Sequence, residues 1–323
     1  MNTTNTANRI AAVDLFAGWG GFTEGAEQAG VSVRWAANHW PLAVEAHAAN
    51  HPNAAHVCQD LRQADWSQLP DFDLLLAAPA CQGHSQAAQP SRARSERTRR
   101  YHDALRATAM AVVDCADITN PEAIVVENVP DFARWRLFAW WVQGLERLGY
   151  HVSQHRIRAS HHGVPQRRDR LFVVASKRAG FTYERPVHAV EPAFGPCIDW
   201  SAGDWKPIER ATGAARDRLE AGLRKHGGGR FFGQHVSIST GAQAATGLAL
   251  DEPIRTITTK DQWFACDGER YRPLTVRENA RAMGFGDHYR WPSSNRKDAI
   301  RGLGNAVCPP VARAIVEQVS AHM

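Results

Sequence analysis

The sequence predicts an α/β fold, in which a doubly wound, mostly parallel sheet is accompanied by a smaller loop-rich domain. Two observations lead to this prediction. In the first half of the 323-residue chain, short apolar runs alternate with segments of helical spacing, which is typical of a parallel sheet with helices on both faces. After about Pro186 the alternation stops, and the chain becomes rich in Gly, Pro, Trp and Thr. The sheet is therefore expected in the first half, and the loop-rich domain after it.

The expected strands are apolar runs bounded by turn residues, as in sheets that are buried on both faces. In chain order they are residues 9–16, 31–37, 72–78, 123–128 and 170–176. Segments with the apolar spacing of helices lie between them, at residues 21–29, 41–49, 102–118 and 132–148. Pro41 and Pro121 fall where a helix and a strand begin, which suits a residue without a backbone N–H.

Helical spacing returns at residues 274–283 and 307–319. We therefore expect a first domain at residues 1–185, a loop-rich domain at residues 186–271, and a C-terminal return to the first domain at residues 272–323. A basic run at residues 91–101 (SRARSERTRRY) is too polar for a core and is expected to form a surface loop.

Composition narrows the class of protein. Apolar residues make up 44% and charged residues 22% of the chain, which excludes wholesale disorder. Lysine and arginine total 38 against 33 acidic residues, so the net charge of +5 permits a polyanionic partner without identifying one. No stretch approaches the roughly 18 apolar residues of a membrane span, and the polar start lacks a secretory signal, so a cytoplasmic protein is expected.

The six cysteines are scattered along the chain. They form no Cys-x-x-Cys pair and no Cys/His cluster at the spacing of zinc ligands. We therefore expect reduced thiols and no metal site.

Residues 14–21 (DLFAGWGG) follow the first strand and open a helix. Glycines in such a turn let the backbone approach a ligand closely, and a helix N-terminus favours polar or anionic groups. The glycines do not follow the full Gly-x-Gly-x-x-Gly spacing of dinucleotide sites, so an adenosine-containing cofactor other than NAD fits the segment. A simple strand-to-helix turn is the alternative.

Two further segments end successive strands. Residues 79–85 (PACQGHS) place Cys81 beside polar residues and the basic loop, a setting that lowers a thiol pKa, although a lone cysteine is often only a small buried side chain. Glu127 ends the next strand, where a carboxyl group can act as an acid in a ligand crevice or simply face solvent. Cys81 and Glu127 are therefore a candidate nucleophile and acid.

Residues 166–170 (QRRDR) precede the last predicted strand of the sheet. Alternation along a strand would place Gln166, Arg168 and Arg170 on one side, where amide and guanidinium donors suit a phosphate or the edge of a base. A charged strand start without a ligand is the alternative.

Taken in order, these segments resemble the motifs of the C5-cytosine DNA methyltransferase family. The matching segments are residues 14–21 (cofactor loop), 79–85 (Pro-Cys loop), 127–129 (Glu-Asn-Val), 166–170 (Gln-x-Arg-x-Arg), 272–285 (RPLTVRENARAMGF) and 304–311 (GNAVCPPV). The resemblance covers nearly the whole chain apart from about residues 186–271, which would be the target-recognition domain.

The resemblance implies the Rossmann-like fold of S-adenosylmethionine (SAM)-dependent methyltransferases, SAM as the methyl donor, and a cytosine that is flipped out of double-stranded DNA. Cys81 would add to C6 of the base. Glu127 would hold N3 and the exocyclic amine, and Arg170, supported by Arg168, would contact the base or its phosphate. The expected catalytic residues are Cys81, Gln82, Glu127, Arg168 and Arg170.

The same resemblance assigns binding residues. Trp40 would stack on adenine, and Asp60 would accept a hydrogen bond from its amine. The expected cofactor residues are Asp14, Phe16, Gly18, Gly20, His39, Trp40, Asp60, Pro79, Asn305 and Val307. The expected DNA-contacting residues are Ser85, Arg92, Arg94, Asn128, Gln166, Arg230 and Thr256.

Three positions depart from the family's pattern. Ala80 stands where a proline usually precedes the nucleophile, which leaves the loop less rigid. His84 stands in place of a phenylalanine and adds a titratable group near the base. His39 stands in place of the acid that binds the ribose.

Two other functions fit the motifs. One branch of the family methylates cytosine in tRNA, but its Cys-Phe-Thr signature is absent from this sequence, so DNA is favoured. A catalytically silent DNA-binding relative is the second, and the presence of Cys81 and Glu127 speaks against it. The resemblance also implies a monomer, and it leaves open whether a cognate restriction endonuclease acts on the same site.

Overall fold

The computed structural model describes residues 9–80, 107–186, 191–234, 247–291 and 295–323. Internal contacts divide the chain into two units. The first unit comprises residues 1–158, 169–186 and 306–323, and the second comprises residues 159–168 and 187–305.

A seven-stranded sheet forms the centre of the first unit. Its strands are β1 (Ala11–Leu15), β2 (Ser32–Asn38), β3 (Ala55–Cys58), β4 (Leu74–Ala77), β5 (Ala123–Asn128), β6 (His151–Arg158) and β8 (Asp169–Ser176). They lie in the order β3-β2-β1-β4-β5-β8-β6. Strands β1 to β5 pair in parallel, and β8 runs antiparallel to both β5 and β6. The predicted α/β fold with a mostly parallel sheet is confirmed.

The two strands that the sequence did not predict, β3 and β6, lie at the edges of this sheet. Every residue of β3 is at least partly exposed, and Ile157 is the one fully buried residue of β6. Because one side of an edge strand faces solvent, its sequence need not be a continuous apolar run. The inner strands β1, β4 and β5 are buried throughout, which is why their apolar runs identified them.

Helices cover both faces of the sheet. In the first unit they are α1 (Gly21–Gln28), α2 (Pro41–Asn50), α3 (Met110–Thr119), α4 (Phe138–Arg147) and α8 (Pro309–His322). Alternation along β1 sends Leu15 into a core cluster with Val112 of α3 and Trp141 of α4. The neighbouring Asp14 points to the opposite face, where it meets Thr23 of α1.

Two of the predicted helices differ from their expected bounds within the described residues. Within residues 102–118, the described part becomes α-helical only at Met110, after a 3-10 turn at Ala107–Ala109. Residues 132–148 are divided between a 3-10 turn at Pro130–Arg134 and α4, because Trp135 adopts an extended conformation that ends the turn.

Helix α8 packs closely against α1. A Cβ atom on Gly25 of α1 would lie 2.5 Å from Cβ of Ala312 and from the carbonyl oxygen of Pro309, so this approach requires glycine. On the same helix, the ring of Phe22 contacts that of Phe172 in β8. The last helix of the chain is therefore part of the first unit's core.

Four antiparallel strands form the sheet of the second unit. They are β9 (Lys206–Pro207), β10 (Phe231–Gln234), β12 (Trp263–Cys266) and β13 (Arg270–Pro273), in the order β10-β12-β13-β9. A parallel pair is formed by β7 (Gln166–Arg167) and β11 (Ile254–Arg255), and the helices are α5 (Gly213–Lys225), α6 (Val276–Ala282) and α7 (Arg296–Asn305). Helix α5 was not predicted, because it buries only Leu219 and Gly222 and shows little apolar spacing.

The boundary between the units differs from the expected one near the C-terminus. Residues 272–305 belong to the second unit, and the first unit resumes at Ala306. Strand β13 pairs with β12, and Arg272 forms a fully buried ion pair with Glu278 of α6, so the segment is tied into the second unit. What each unit does stays a prediction.

Two expectations from the sequence concern membrane-spanning segments and the state of the cysteines. Among the residues with a described structure, no helix combines the length and the apolar character that a membrane crossing requires. The cysteines in this part of the chain are free thiols, namely Cys58, Cys115, Cys197, Cys266 and Cys308.

Candidate active site

The loop between β1 and α1 has an unusual backbone. Phe16, Gly18 and Gly20 have φ values of 63°, 57° and 81°, all in the left-handed region. A non-glycine residue such as Phe16 is strained there, and strain of this kind is concentrated at ligand sites. Gly20 is the N-cap of α1, whose first backbone N–H groups lack partners within the helix. The loop therefore suits a polar or anionic group.

Asp14, next to this loop in β1, is fully buried. Its Oδ2 accepts a hydrogen bond of 2.7 Å from the Thr23 hydroxyl, whereas Oδ1 has no hydrogen-bond partner among the described residues. Burial raises the pKa of Asp14 to about 7, although the Thr23 hydroxyl and the charge of His51 act in the opposite direction. A buried carboxylate oxygen without a partner is costly, so Oδ1 suits a cationic ligand group.

The ends of β2 and β3 carry the residues expected around adenine. The indole of Trp40 stacks on the buried indole of Trp19, with ring centroids 5.1 Å apart. Asp60 accepts a hydrogen bond of 3.0 Å from the Arg62 guanidinium, which lowers the pKa of Asp60 to about 2. His39, before Trp40, is exposed. Their contacts with a cofactor stay predictions.

Asn128 joins the ends of β5 and β4. Its Nδ2 donates to the carbonyl oxygen of Pro79 at 3.0 Å, and its Oδ1 accepts from the N–H of Val129 at 2.8 Å. The side chain is buried, so it fixes the backbone from which the Pro-Cys loop departs. This is a positioning role, and the expected DNA contact of Asn128 is still only a prediction.

Glu127 forms an ion pair with Arg170. Nε of Arg170 lies 2.9 Å from Oε1 of Glu127, and the two side chains are 15% and 7% exposed. The pair follows from strand register: Glu127 of β5 lies opposite Phe172 of β8, and Arg170 lies two residues from Phe172 on the same side of β8. A nearly buried carboxylate with a guanidinium partner thus stands at the carboxyl end of β5.

Residues 166–170, which were expected to precede the last strand and to alternate as strand residues do, do not form one continuous strand. The N–H of Arg168 bonds to the carbonyl oxygen of Gln166 at 3.0 Å, a three-residue turn that separates β7 from β8. The prediction that Gln166, Arg168 and Arg170 share one strand face is therefore wrong. Arg170 belongs to the first unit, and the other two residues belong to the second.

Gln166 and Arg168 bind backbone groups within the second unit. The 2% exposed guanidinium of Arg168 donates to the carbonyl oxygens of Ile257 at 3.0 Å and Gly304 at 3.1 Å. The Gln166 amide donates to Ala282 O and accepts from Ile257 N–H, both at 2.9 Å. Buried donors that reach backbone oxygens stabilise loops, so the observed role is structural and a substrate contact stays a prediction.

Two further residues expected to contact DNA, Arg230 and Thr256, also lie in the second unit. Cζ of Arg230 lies 4.6 Å from the ring centroid of Trp200, which stacks on Trp205. Within the described part of the chain, Arg230 has no ion-pair or hydrogen-bond partner. The hydroxyl of Thr256 donates to the carbonyl oxygen of Arg167 at 3.0 Å.

The remaining expected site residues are divided between exposed, buried and undescribed positions. Asn305 is exposed at the end of α7, and Val307 is buried. Cys81, Gln82, Ser85, Arg92 and Arg94 lie outside the described residues, as does His84.

The sequence did not identify Trp19, Thr23 or His47 as site residues. Trp19 supports Trp40, and Thr23 connects Asp14 with His47 of α2. Trp19 lies within the glycine segment and could have been noticed there. A threonine and a histidine on two different helices give no pattern from which their contact could be predicted.

Comparison with known proteins identifies the family to which this chain is similar. A family model described as C-5 cytosine-specific DNA methylase matches residues 10–194 and 233–321. The type II methyltransferase M.NlaX of Neisseria lactamica is 28% identical over 318 residues, which are 96% of this chain and 96% of the relative. The type II methyltransferase M1.HphI of Haemophilus parahaemolyticus is 29% identical over 334 residues, which are 96% of this chain and 86% of the relative.

Solved structures show the same fold. A putative DNA modification methyltransferase encoded within an E. coli prophage has a TM-score of 0.69 and 20% identity, covering 97% of this chain and 99% of that chain. The S. pombe Dnmt2 methyltransferase has a TM-score of 0.65 and 18% identity, covering 97% and 98%. The expected methyltransferase fold is thus confirmed.

Proposed function

Since the chain belongs to the C-5 cytosine-specific DNA methylase family, we propose that it methylates C5 of cytosine in a specific double-stranded DNA sequence, with SAM as donor and Cys81 as nucleophile. Membership itself makes the protein a DNA cytosine-5-methyltransferase, as the sequence resemblance predicted. The observation that carries the finer proposal is the Glu127–Arg170 pair. It stands beside the strand end that leads to Cys81.

The proposed reaction begins with the thiolate of Cys81. Its sulfur forms a bond to C6 of a flipped-out cytosine, which places electron density on C5. When bound, SAM supplies the electrophilic methyl group that C5 takes up. A water molecule then removes the C5 proton, and the C6–sulfur bond breaks to release Cys81 as thiolate. The products are the methylated base, the regenerated Cys81 thiolate, a proton and S-adenosylhomocysteine, so the reaction needs no external oxidant or reductant.

Glu127 and Arg170 stabilise this addition. Glu127 holds N3 and the exocyclic amine, so that charge developing on the ring is compensated as Cys81 adds. Arg170 fixes the Glu127 carboxylate through the 2.9 Å contact between Nε and Oε1. Because both side chains are largely shielded from water, their interaction with the base is stronger than at an exposed site.

The residues around the β1–α1 loop fit SAM. Oδ1 of buried Asp14, which has no hydrogen-bond partner among the described residues, suits the cationic amino-acid end of SAM, and the N-terminus of α1 suits its carboxylate. Trp40, supported by Trp19, offers an aromatic surface for adenine. The other proposed cofactor residues are Phe16, Gly18, Gly20, His39, Asp60, Pro79, Asn305 and Val307.

A Glu127→Gln variant is expected to lower kcat by more than about tenfold while SAM affinity stays unchanged, because a neutral amide cannot compensate charge on the ring as a carboxyl group does. Transfer of tritiated methyl from SAM to DNA measures the rate. The matched control is Glu122→Gln, since Glu122 is an exposed carboxylate just before β5. Equal rates for Glu127→Gln and the parent would remove Glu127 from the mechanism.

The second unit is proposed to recognise the DNA sequence. The cation–π contact with Trp200 orients the planar guanidinium of Arg230, and its donors have no partner in the described part of the chain. Such a group suits N7 and O6 of guanine, which accept two parallel hydrogen bonds in the major groove. Thr256 and the undescribed Ser85, Arg92 and Arg94 are proposed as further DNA contacts.

Bisulfite sequencing of unmethylated genomic DNA after incubation with the protein and SAM tests the function. We expect protected cytosines in one sequence context that contains a guanine. An Arg230→Ala variant is expected to lose the preference for one guanine, which is worth about 1–3 kcal/mol. The control Arg224→Ala, which removes an exposed arginine of α5, is expected to keep the full preference.

The outcomes of this assay distinguish the role of Arg230 and the class of substrate. Uniformly weaker methylation of all contexts by Arg230→Ala would make Arg230 a phosphate contact and not a base reader. No protected cytosine with the parent protein would overturn the proposal for DNA. Methylation of tRNA in the same assay would then support the RNA branch, and DNA binding without any product would support a silent relative.

The partners follow from the same proposal. Double-stranded DNA is the proposed substrate, and a monomer suffices because the proposed site draws on one chain. The type II names of the relatives favour a restriction endonuclease that cleaves the same sequence when it is unmethylated. Cytoplasmic location is proposed as well.

A further inference from the structure

A row of hydrogen bonds leads from the cofactor loop to His56. The Thr23 hydroxyl lies 2.7 Å from Oδ2 of Asp14, and Nε2 of His47 lies 3.0 Å from the same hydroxyl. Nδ1 of His47 lies 2.8 Å from Nε2 of His56. Asp14, Thr23 and His47 are all at most 1% exposed, and His56 is partly exposed. We call these four residues the Asp14–His56 network.

The chemistry of the groups fixes the direction of each bond. Thr23 has one hydroxyl hydrogen, which it donates to Asp14, so its oxygen must accept from Nε2–H of His47. Burial, and then the neighbouring His51 and His56, keep the pKa of His47 well below its usual range, so His47 is neutral. Its Nδ1 is therefore an acceptor, and Nε2–H of His56 is the donor.

One oxygen of Asp14 is used by this network and the other is not. Thr23 holds Oδ2, whereas Oδ1 has no hydrogen-bond partner in the described part of the chain. A second, partly buried contact lies nearby: Nδ1 of His51 lies 2.8 Å from Oε2 of Glu27, and the coulombic effect of His51 lowers the pKa of Asp14. Most buried polar atoms are hydrogen-bonded, so an oxygen without a partner at the edge of a cofactor loop suits a ligand group.

We propose that Thr23 and His47 are positioning residues, which hold Asp14 so that its Oδ1 receives the cationic amino-acid end of SAM. This inference rests on the proposed function, because it requires SAM to bind at the β1–α1 loop. His47 acts through Thr23 and does not touch the cofactor. His56 completes the network by fixing the tautomer of His47.

Binding of two ligands to the whole protein, measured by isothermal titration calorimetry, tests the proposal. S-adenosylhomocysteine keeps the α-ammonium group, and 5′-methylthioadenosine lacks the whole amino-acid portion. Thr23→Val keeps the shape of the side chain but removes the donor to Asp14. We expect this variant to bind S-adenosylhomocysteine about tenfold more weakly, and 5′-methylthioadenosine with unchanged affinity.

Three further variants make the test selective. Thr23→Ser keeps the hydroxyl and is expected to bind S-adenosylhomocysteine as the parent does. His47→Phe keeps a ring but loses the donor to Thr23, and is expected to show a smaller loss confined to the same ligand. The control is Thr119→Val, since the Thr119 hydroxyl donates to Cys115 O within α3, and it is expected to change neither affinity.

The outcomes separate this proposal from the proposed function. Equal losses for both ligands in Thr23→Val would indicate a general change of the pocket and would overturn the positioning role. Parent-like binding of S-adenosylhomocysteine by both Thr23→Val and His47→Phe would also overturn it, while SAM binding stands. A parent protein that binds neither ligand would contradict the proposed cofactor, and the positioning role with it.

Discussion

A Cys81→Ser variant is expected to lose turnover by about a thousandfold or more, while its affinities for SAM and DNA stay within about twofold of the parent values. A serine hydroxyl is almost fully protonated near neutral pH and adds poorly to C6, but it occupies nearly the same volume. Tritiated methyl transfer gives the rate, and equilibrium binding of SAM and of a DNA duplex gives the affinities.

A chemical trap provides a second measurement for Cys81. In DNA that carries 5-fluorocytosine at the target, no C5 proton can be removed after methylation, so the C6–sulfur bond persists. We expect a covalent protein–DNA complex with the parent and none with Cys81→Ser. The control is Cys197→Ser: burial raises the pKa of Cys197 to about 11, so this thiol is not a nucleophile near neutral pH. A complex that forms with Cys81→Ser would exclude Cys81 as the nucleophile.

An Arg272→Met variant is expected to destabilise the second unit by about 3–5 kcal/mol, because it leaves the Glu278 carboxylate buried without its counter-charge. Both side chains are fully buried, and Nη2 of Arg272 lies 2.6 Å from Oε1 of Glu278. Arg272 also donates to Asp199 O, and Glu278 accepts from Asp199 N–H and Thr275 N–H. The pair therefore connects three segments of the unit. Urea unfolding followed by circular dichroism measures the loss.

Two comparisons show whether burial is the cause of this loss. Arg216→Met removes an exposed pair with Glu220 on α5 and is expected to unfold at nearly the same urea concentration as the parent. The double variant Arg272→Met/Glu278→Leu removes both charges and is expected to recover part of the stability. If Arg272→Met unfolds at the same urea concentration as Arg216→Met, the buried pair does not stabilise the unit.

Sequence patterns predicted the inner strands well because those strands are buried on both faces. The run at residues 123–128 was predicted with the bounds that β5 has, and every one of its residues is buried. Edge strands and α5 escaped prediction because much of their surface is hydrated, so their sequences are mixed. The strand propensity and the apolar periodicity of a sequence reflect how its side chains are buried. They therefore do not identify strands and helices whose side chains are only partly buried.

The candidate site was predicted in part, for a different reason. Motifs name the residues at strand ends, such as Asp14 and Glu127, but not the groups that orient them. Arg170 reaches Glu127 through the register of an antiparallel pair, and Thr23 reaches Asp14 across a helix–sheet contact. The turn at Arg168 was not predicted, because it depends on one backbone hydrogen bond that the sequence does not reveal. Once the backbone bends there, side chains on either side of the turn no longer alternate as they do along a strand.

The close contact between α1 and α8 has a consequence for biosynthesis. The ribosome makes α8 after all of residues 187–305, yet α8 covers a face of α1, a helix made before any of those residues. Until then that face of α1 has no native neighbour, and closing so long a loop carries an entropic cost. The second unit can thus acquire its structure on the ribosome before the first is complete, although its residues come later in the chain. The two units can therefore be completed in the reverse of the order in which their first residues are synthesised.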